Sequence, residues 1–327
     1  MGQVTILLIK EIYYPILAAI SVPANLLTIV ILSRGNCSLS KCISIYITAM
    51  ATADLLVMMI NVILYYIFSY HFPFSFLSHT PVCQFILYMT VVTLDLSVWF
   101  TVSFTFDRFV AICCQKLKTR YCTERTAAAV ITTFSVLIFF QNIPFFFAFE
   151  PQQIINKVQW GCLQSAAYFS SPLGAAHLWF HLAWIVWVPF TSIFLFNSLT
   201  IRHIVVASKA RRGLRGHKSD NQCDPEIQKR RKSIILLFTI SASFILLWLT
   251  AALTVSITGL ANINDSQRDH KNARYIASET GAMLKLLNSC PNTCIYAVTQ
   301  RKFRKELKKI LQSPRILILR FAKKWKK

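Results

Sequence analysis

Apolar residues in this chain gather into seven blocks of about 20 or more, the length that crosses a hydrocarbon core of about 30 Å. The blocks cover roughly residues 12–33, 43–69, 81–113, 126–148, 173–206, 233–259 and 274–299. A backbone in lipid must satisfy its own hydrogen bonds, so each block is predicted to be a helix, α1 to α7 in order. The longest hydrophilic stretch, about 207–232, is too short to bury a core of its own. After the last block, Arg301 to Leu311 places Phe303, Leu307, Ile310 and Leu311 on one helical face with cations opposite. This predicts an eighth, amphipathic helix lying on the inner leaflet. The expected fold is an all-α membrane protein, a seven-transmembrane helix bundle with a short amphipathic eighth helix. Its expected parts are a short extracellular N-terminus (1–11), the bundle (12–300) and a cytoplasmic amphipathic helix with a basic tail (301–327).

Charge gives the orientation. With the N-terminus outside, inner segments hold 28 Lys and Arg against 5 in outer ones, leaving Arg108 and Lys285 inside helices. The positive-inside rule therefore predicts an extracellular N-terminus in the plasma membrane. The mean hydropathy of +0.49 and only 8 glycines point to helices rather than turn-rich β structure. The net charge of +22 does not indicate nucleic acid. It lies beside the membrane, where topology and anionic lipid account for it at about 1 kcal/mol per residue, and the basic runs lack interleaved aromatics and a binding fold. Membrane lipids are the expected partners of this charge. The first eleven residues carry neither a long charged region nor a cleavage site, so α1 is expected to be the targeting signal.

Of the ten cysteines, only Cys83, at the outer start of α3, and Cys162, in the outer loop after α4, fall in oxidising space. A Cys83–Cys162 disulfide is predicted, the alternative being two unpaired thiols. Asn264-Asp265-Ser266 is an outer glycosylation sequon, whereas Asn36-Cys37-Ser38 has the same form on the inner side and is discounted.

Polar side chains inside apolar helices are expensive, and function is sought there. Asn25 in α1, Asp54 in α2, and Asn288 and Asn292 in α7 are spaced to meet at mid-depth. One reading is a hydrated cluster that holds a cation, sodium at Asp54, and reorganises during switching. The other is a static hydrogen-bond network. No other cofactor is expected. The apolar run Tyr88 to Thr105 ends in Phe106-Asp107-Arg108-Phe109, an acid and a base at the mouth of α3. These two are read as a latch, or else as charges that snorkel to the interface.

Asn25, Ala53-Asp54-Leu55, Cys83, Asp107-Arg108-Phe109, Trp248 and Asn292 to Tyr296, in this order, resemble the rhodopsin-like (class A) G-protein coupled receptors over nearly the whole chain. Val98-Trp99-Phe100-Thr101-Val102, Trp179-Phe180-His181 ahead of Pro189, Phe196-Asn197-Ser198, Arg212-Gly213-Leu214-Arg215-Gly216 and Phe238-Thr239-Ile240 further resemble the receptors named probable G-protein coupled receptor 139 and 142. The resemblance implies a heterotrimeric G protein, Gq/11 or Gi/o, as partner, and an aromatic amino-acid-like or peptide ligand. It implies that Asp107 restrains Arg108 at rest and that Arg108 swings toward a Gα helix on activation. Tyr296 and Asn197 would support that movement, and Trp248 would sense the ligand. The chain departs from the pattern at Thr250, where a proline is usual, at Pro291, displaced within the last motif, at Phe109 in place of tyrosine, and in α4, which has no tryptophan.

The implied pocket is lined by Thr90, Leu94, His181, Ile185, Trp248, Ala252, Val255 and Lys285. Where the resembling receptors hold the ligand carboxylate with a cation on α6, this chain has Ala251, and Lys285 stands on the opposite wall. Either the cationic anchor has moved to α7, or Lys285 neutralises Asp54 or Asp95. His177 and His181, four apart, have the spacing of metal ligands, but no acidic or thiol partner is evident, so a hydrogen-bonding His181 is preferred. An orphan or constitutively active receptor is the alternative function. An opsin is disfavoured because Lys285 lies one residue, about 100°, from the retinal position, and a transporter because no inverted repeats appear. No enzymatic motif is present. The tail beyond Gln300 offers only Ser313 as a non-tyrosine hydroxyl, so any phosphorylation is expected at Ser208, Ser219 and Ser233.

Overall fold

A computed structural model describes residues 2–35, 39–214, 225–260, 273–310 and 312. The two sequons, Ser219, Ser313 and the basic tail lie outside them, and the surroundings of Ser208 are likewise undescribed. Helix α1 spans Gly2–Ser33 and begins ten residues before its apolar block. Ile12, Ile16 and Ile20 recur every four residues on one face and are 63%, 54% and 55% exposed, while Tyr14, Leu17, Ser21 and Asn25 on the other are buried. That division, apolar outside and polar within, is the signature of a lipid-facing helix.

Helix α2 (Lys41–Val57) starts where Ser40 accepts the Ile43 amide and continues through a widened stretch, Met58–Phe68. Helix α3 (Thr80–Cys113) opens with Pro81 in its first turn, where a missing N–H costs nothing. It is the most enclosed span, with 61% of its apolar window buried against 28% for α5. The latter runs as Pro172–Leu182, a widened turn Ala183–Trp187, and Val188–Leu214. Pro189 has no N–H to donate and its ring crowds the preceding turn, which widens in response. Helix α4 (Glu124–Gln141) stops seven residues short of the expected 148, because Pro144 begins a separate turn, Ile143–Phe146. Helix α6 (Pro225–Leu260) passes Thr250 unbroken. Helix α7 is split into Ala273–Leu287 and Pro291–Thr299. Residues 301–310 form α8.

By length and apolarity alone, α1, α2, α3, α5 and α6 each cross a membrane, and α4 joins them when counted with the short helix Gln115–Tyr121, from which it bends by 73°. The break in α7 keeps it from qualifying by the same measure. The shared core runs through Tyr46, Trp99, Phe104, Phe244, Trp248 and Tyr296. Helix α8 differs from expectation in what its apolar face meets: Phe303 is buried against Tyr296 with ring centroids 5.9 Å apart, and Leu307 and Ile310 pack on the same core. The face is turned to the bundle.

Between α4 and α5 the structure adds two small antiparallel sheets that the sequence did not announce. Strands β1 (Phe149–Glu150) and β4 (Leu163–Gln164) pair around β2 (Gln153–Ile155) and β3 (Val158–Trp160). Strands of two or three residues are too short to show a period. Asn156 and Lys157 both take positive φ, 50° and 63°, the two-residue turn whose twist matches a hairpin. Gly161 (φ +72°) brings the chain so close to Gln152 that a Cβ would lie 2.8 Å from its Cβ. The expected Cys83–Cys162 disulfide fastens this lid to the start of α3, Cα atoms 6.2 Å apart.

Candidate functional site

The displaced proline shapes the centre of the bundle. Pro291 cannot donate an N–H to the Leu287 carbonyl, which takes the Cys290 amide at 2.9 Å instead, and α7 is broken at Asn288-Ser289-Cys290 with the Ser289 carbonyl turned to α1. Helix α1 satisfies it: Ser21 Oγ donates at 3.0 Å and Asn25 Nδ2 at 2.9 Å. One turn on, Thr28 and Thr293 share a 2.8 Å hydroxyl contact. Asn25 is thus a clamp on the α7 break. It and Asn288, buried in that break, are not hydrogen-bonded to Asp54 among the contacts described.

Asp54, wholly buried, is met from two other helices. Ser97 Oγ of α3 donates to Oδ1 and Asn292 Nδ2 of α7 to Oδ2, both at 2.7 Å. Each carboxylate oxygen keeps a further lone pair, so the arrangement accommodates both the static-network and the cation readings.

Asp107 and Arg108 form a buried ion pair, with Arg108 Nε also donating to Asp107 Oδ2 at 2.9 Å. They are 0% and 5% exposed, which removes the snorkelling alternative. The pair reaches three neighbours that the sequence reading had not joined to it. Cys42 of α2 donates its thiol to Asp107 Oδ1 at 3.2 Å, Cys122 donates to the Asp107 carbonyl at 3.7 Å, and Arg108 Nη1 lies 3.5 Å from Ser233 Oγ on α6. Burial first, and the Asp107 charge second, push the Cys122 thiol up to about 12, so it remains a neutral donor. Asn197 and Tyr296 do not reach the pair. Tyr296 instead packs on Phe303, its hydroxyl buried and unpartnered.

At the other end of the core, Trp248 is 4% exposed, stacks on Phe244 at 5.5 Å and carries the Lys285 ammonium 5.9 Å above its ring. Ile185 and Ala252 are buried beside it, and Leu94 packs against the same core. Val255, one turn further along α6, is exposed, and Thr90 turns its hydroxyl to its own helix at Ile86. Two cavities among the described residues lie elsewhere, one between the ends of α1 and α2 and one lined by α1 to α4.

The expectation that the histidines lack an acidic partner is overturned. His181 Nε2 lies 3.3 Å from Asp95 Oδ2, which also accepts from Asn142 Nδ2 at 2.9 Å and Gln141 Nε2 at 3.4 Å. His177 turns away to the Tyr168 hydroxyl at 2.8 Å, and no cluster of three metal-ligating residues occurs among the described residues. Asp95, an acid in the middle of an apolar helix, was the signal that had been available. It is also the acid whose charge reaches Lys285, although no ion pair joins Lys285 to Asp95 or Asp54 among the described residues.

The described helices form a multi-pass bundle whose polar contacts run from the Trp248 floor to the buried Asp107–Arg108 pair. Residues 24–296 match the family described as 7 transmembrane receptor (rhodopsin family), and the chain belongs to it. It is a G-protein coupled receptor and not an enzyme. The chain is similar to the neuropeptide S receptor of Rattus norvegicus, 27% identical over 262 residues that make up 77% of this chain and 67% of that receptor.

Proposed function

We propose that this receptor binds a small anionic or zwitterionic aromatic ligand, amino-acid-like or peptide, between α3, α5, α6 and α7, and transmits it to a Gq/11 or Gi/o protein at the Asp107–Arg108 end. The N-terminus is outside the plasma membrane in this reading. The observation that carries it is the Lys285 ammonium 5.9 Å over the Trp248 ring, a cation held where α6 and α7 meet and joined to no acid by an ion pair among the described residues. A relative whose name is that of a neuropeptide receptor supports a peptide-like ligand, and the narrower resemblance supports an aromatic one. A ligand acts by binding one state of the bundle better than the other. A carboxylate on Lys285 would change the field at Trp248 and, through α6, the contact of Ser233 with Arg108.

The test is a G-protein dissociation screen against aromatic amino acids and short peptides, reading Gq and Gi separately. Lys285→Met should weaken the potency of any agonist found by about tenfold or more, and unchanged potency would sink the anchor. Arg108→Gln should abolish nucleotide exchange, and full-speed exchange would remove the latch. The second reading is a receptor without such a ligand, in which Lys285 serves only to balance Asp95. Silence throughout the screen, with high basal exchange, is its outcome.

A further inference from the structure

Arg108 uses its donor edges unequally. Nε and Nη2 both face Asp107, Nε donating at 2.9 Å, while Nη1 is turned to α6 and meets the Ser233 hydroxyl at 3.5 Å. The first edge holds a carboxylate on its own helix, and the second reaches a neutral oxygen at the limit of a hydrogen bond. A guanidinium only 5% exposed thus aims a donor across the helix gap at a weak acceptor, where an anion would bind it far more strongly.

Ser233 itself is half-buried, and in the chain it follows Lys229-Arg230-Arg231-Lys232, four cations in succession. Serine kinases that read charge recognise such a run by pairing it with an acidic substrate groove. Neither Ser208 nor Ser219 follows an unbroken run of this length. Phosphoryl transfer here joins Ser233 Oγ to the γ-phosphorus of ATP, breaks the bond from that phosphorus to the bridging oxygen and releases ADP, the hydroxyl proton passing to the kinase's base.

We propose that Ser233 is a phosphorylation site whose phosphate locks Arg108 from α6, taking the Nη1 edge in a charge-assisted pair while Asp107 keeps Nε and Nη2. The inference rests on the latch reading of Asp107 and Arg108 given above. A phosphoserine carries about −1.5 to −2 charges at pH 7 and three strong acceptor oxygens, where the hydroxyl is neutral. The modification therefore acts on the switch itself, tying α6 to α3, and needs no phosphate-reading partner. Arg108 covers the hydroxyl at rest, so a receptor whose α6 has parted from α3 is the better substrate, and the phosphate returns it to rest.

The experiment compares full-length receptor in lipid nanodiscs with Ser233 unmodified or installed as phosphoserine during translation. Basal nucleotide exchange on purified Gq and Gi should fall about tenfold with the phosphate and recover after phosphatase treatment. Ser233→Asp, with one charge and a shorter reach, should lower it about twofold. Phosphorus NMR gives a reading independent of signalling: the phosphate, whose second proton ordinarily leaves near pH 6, should titrate lower beside Arg108 and higher again by about one unit in Arg108→Gln. In a kinase arm the native chain is incubated with ATP and the catalytic subunit of cyclic-AMP-dependent protein kinase. Mass spectrometry should find phosphate on Ser233, added about fivefold faster in Arg108→Gln and about tenfold slower in Arg230→Gln combined with Arg231→Gln. Ser233 left unmodified in both the native chain and Arg108→Gln would remove the site. Exchange unchanged by the phosphate, or a phosphate titration indifferent to Arg108→Gln, would remove the lock, while the latch reading stands or falls separately on whether Arg108→Gln abolishes exchange in the unmodified receptor.

Discussion

Asp54 and Asp95 are carboxylates buried to the same degree, 0% and 1% exposed, in neighbouring helices of one bundle, yet they are satisfied differently. Asp54 takes a short bond on each oxygen, from Ser97 and Asn292, and the Ser289 side chain is a further partner. Asp95 gathers Asn142, Gln141 and His181 on Oδ2 and leaves Oδ1 buried with none. Burial is therefore a poor guide to role, and the distribution of donors is a better one. An evenly bonded acid ties three helices together. An unevenly bonded one has capacity left, and Asp95 faces the histidine and lysine from which a ligand response is expected.

The largest expected effect separates the two acids by stability. Asp54→Ala orphans the Ser97 hydroxyl and the Asn292 amide and should cost about 2–5 kcal/mol, read as earlier thermal unfolding in detergent. Asp95→Ala should cost about 1–3 kcal/mol, since Asn142 keeps its bond to the Ile138 carbonyl. Equal losses would end the distinction. A double-variant cycle sharpens it further: Asp95→Asn with Lys285→Met should show a coupling of about 1 kcal/mol in agonist binding, while Asp54→Asn with Lys285→Met should be additive within about 0.5 kcal/mol. The smallest effect lies at the far latch. Ser233→Ala removes one long bond to Arg108 and should raise basal nucleotide exchange about twofold, and a lowered basal rate would show that Ser233 does not restrain Arg108.

Much of this was legible along the chain. Asn292 and Asp54 meet as their spacing implied, and Cys83 and Cys162 are joined. Asn25 was expected to meet Asp54 and instead donates to the Ser289 carbonyl, which faces α1 only because α7 is broken there. The small side chain at Ala251 also acquires a reason. A Cβ on Gly281 would come within 2.9 Å of the Ala251 backbone, so α6 and α7 approach too closely there for a long side chain between them. Ser233, expected as a phosphorylation site, and Cys42 become contacts of the Asp107–Arg108 pair only because α2 and α6 end beside α3.

By itself, the order of residues determined that this is a seven-helix membrane receptor and roughly where its apolar helices run, since lipid penalises any other placement of backbone and charge. The tertiary structure alone decided which inward residues touch. A helix periodicity gives the direction of a side chain but not the rotation and depth of its neighbour, and those were set by a misplaced proline, two widened turns and one close approach of glycine to alanine.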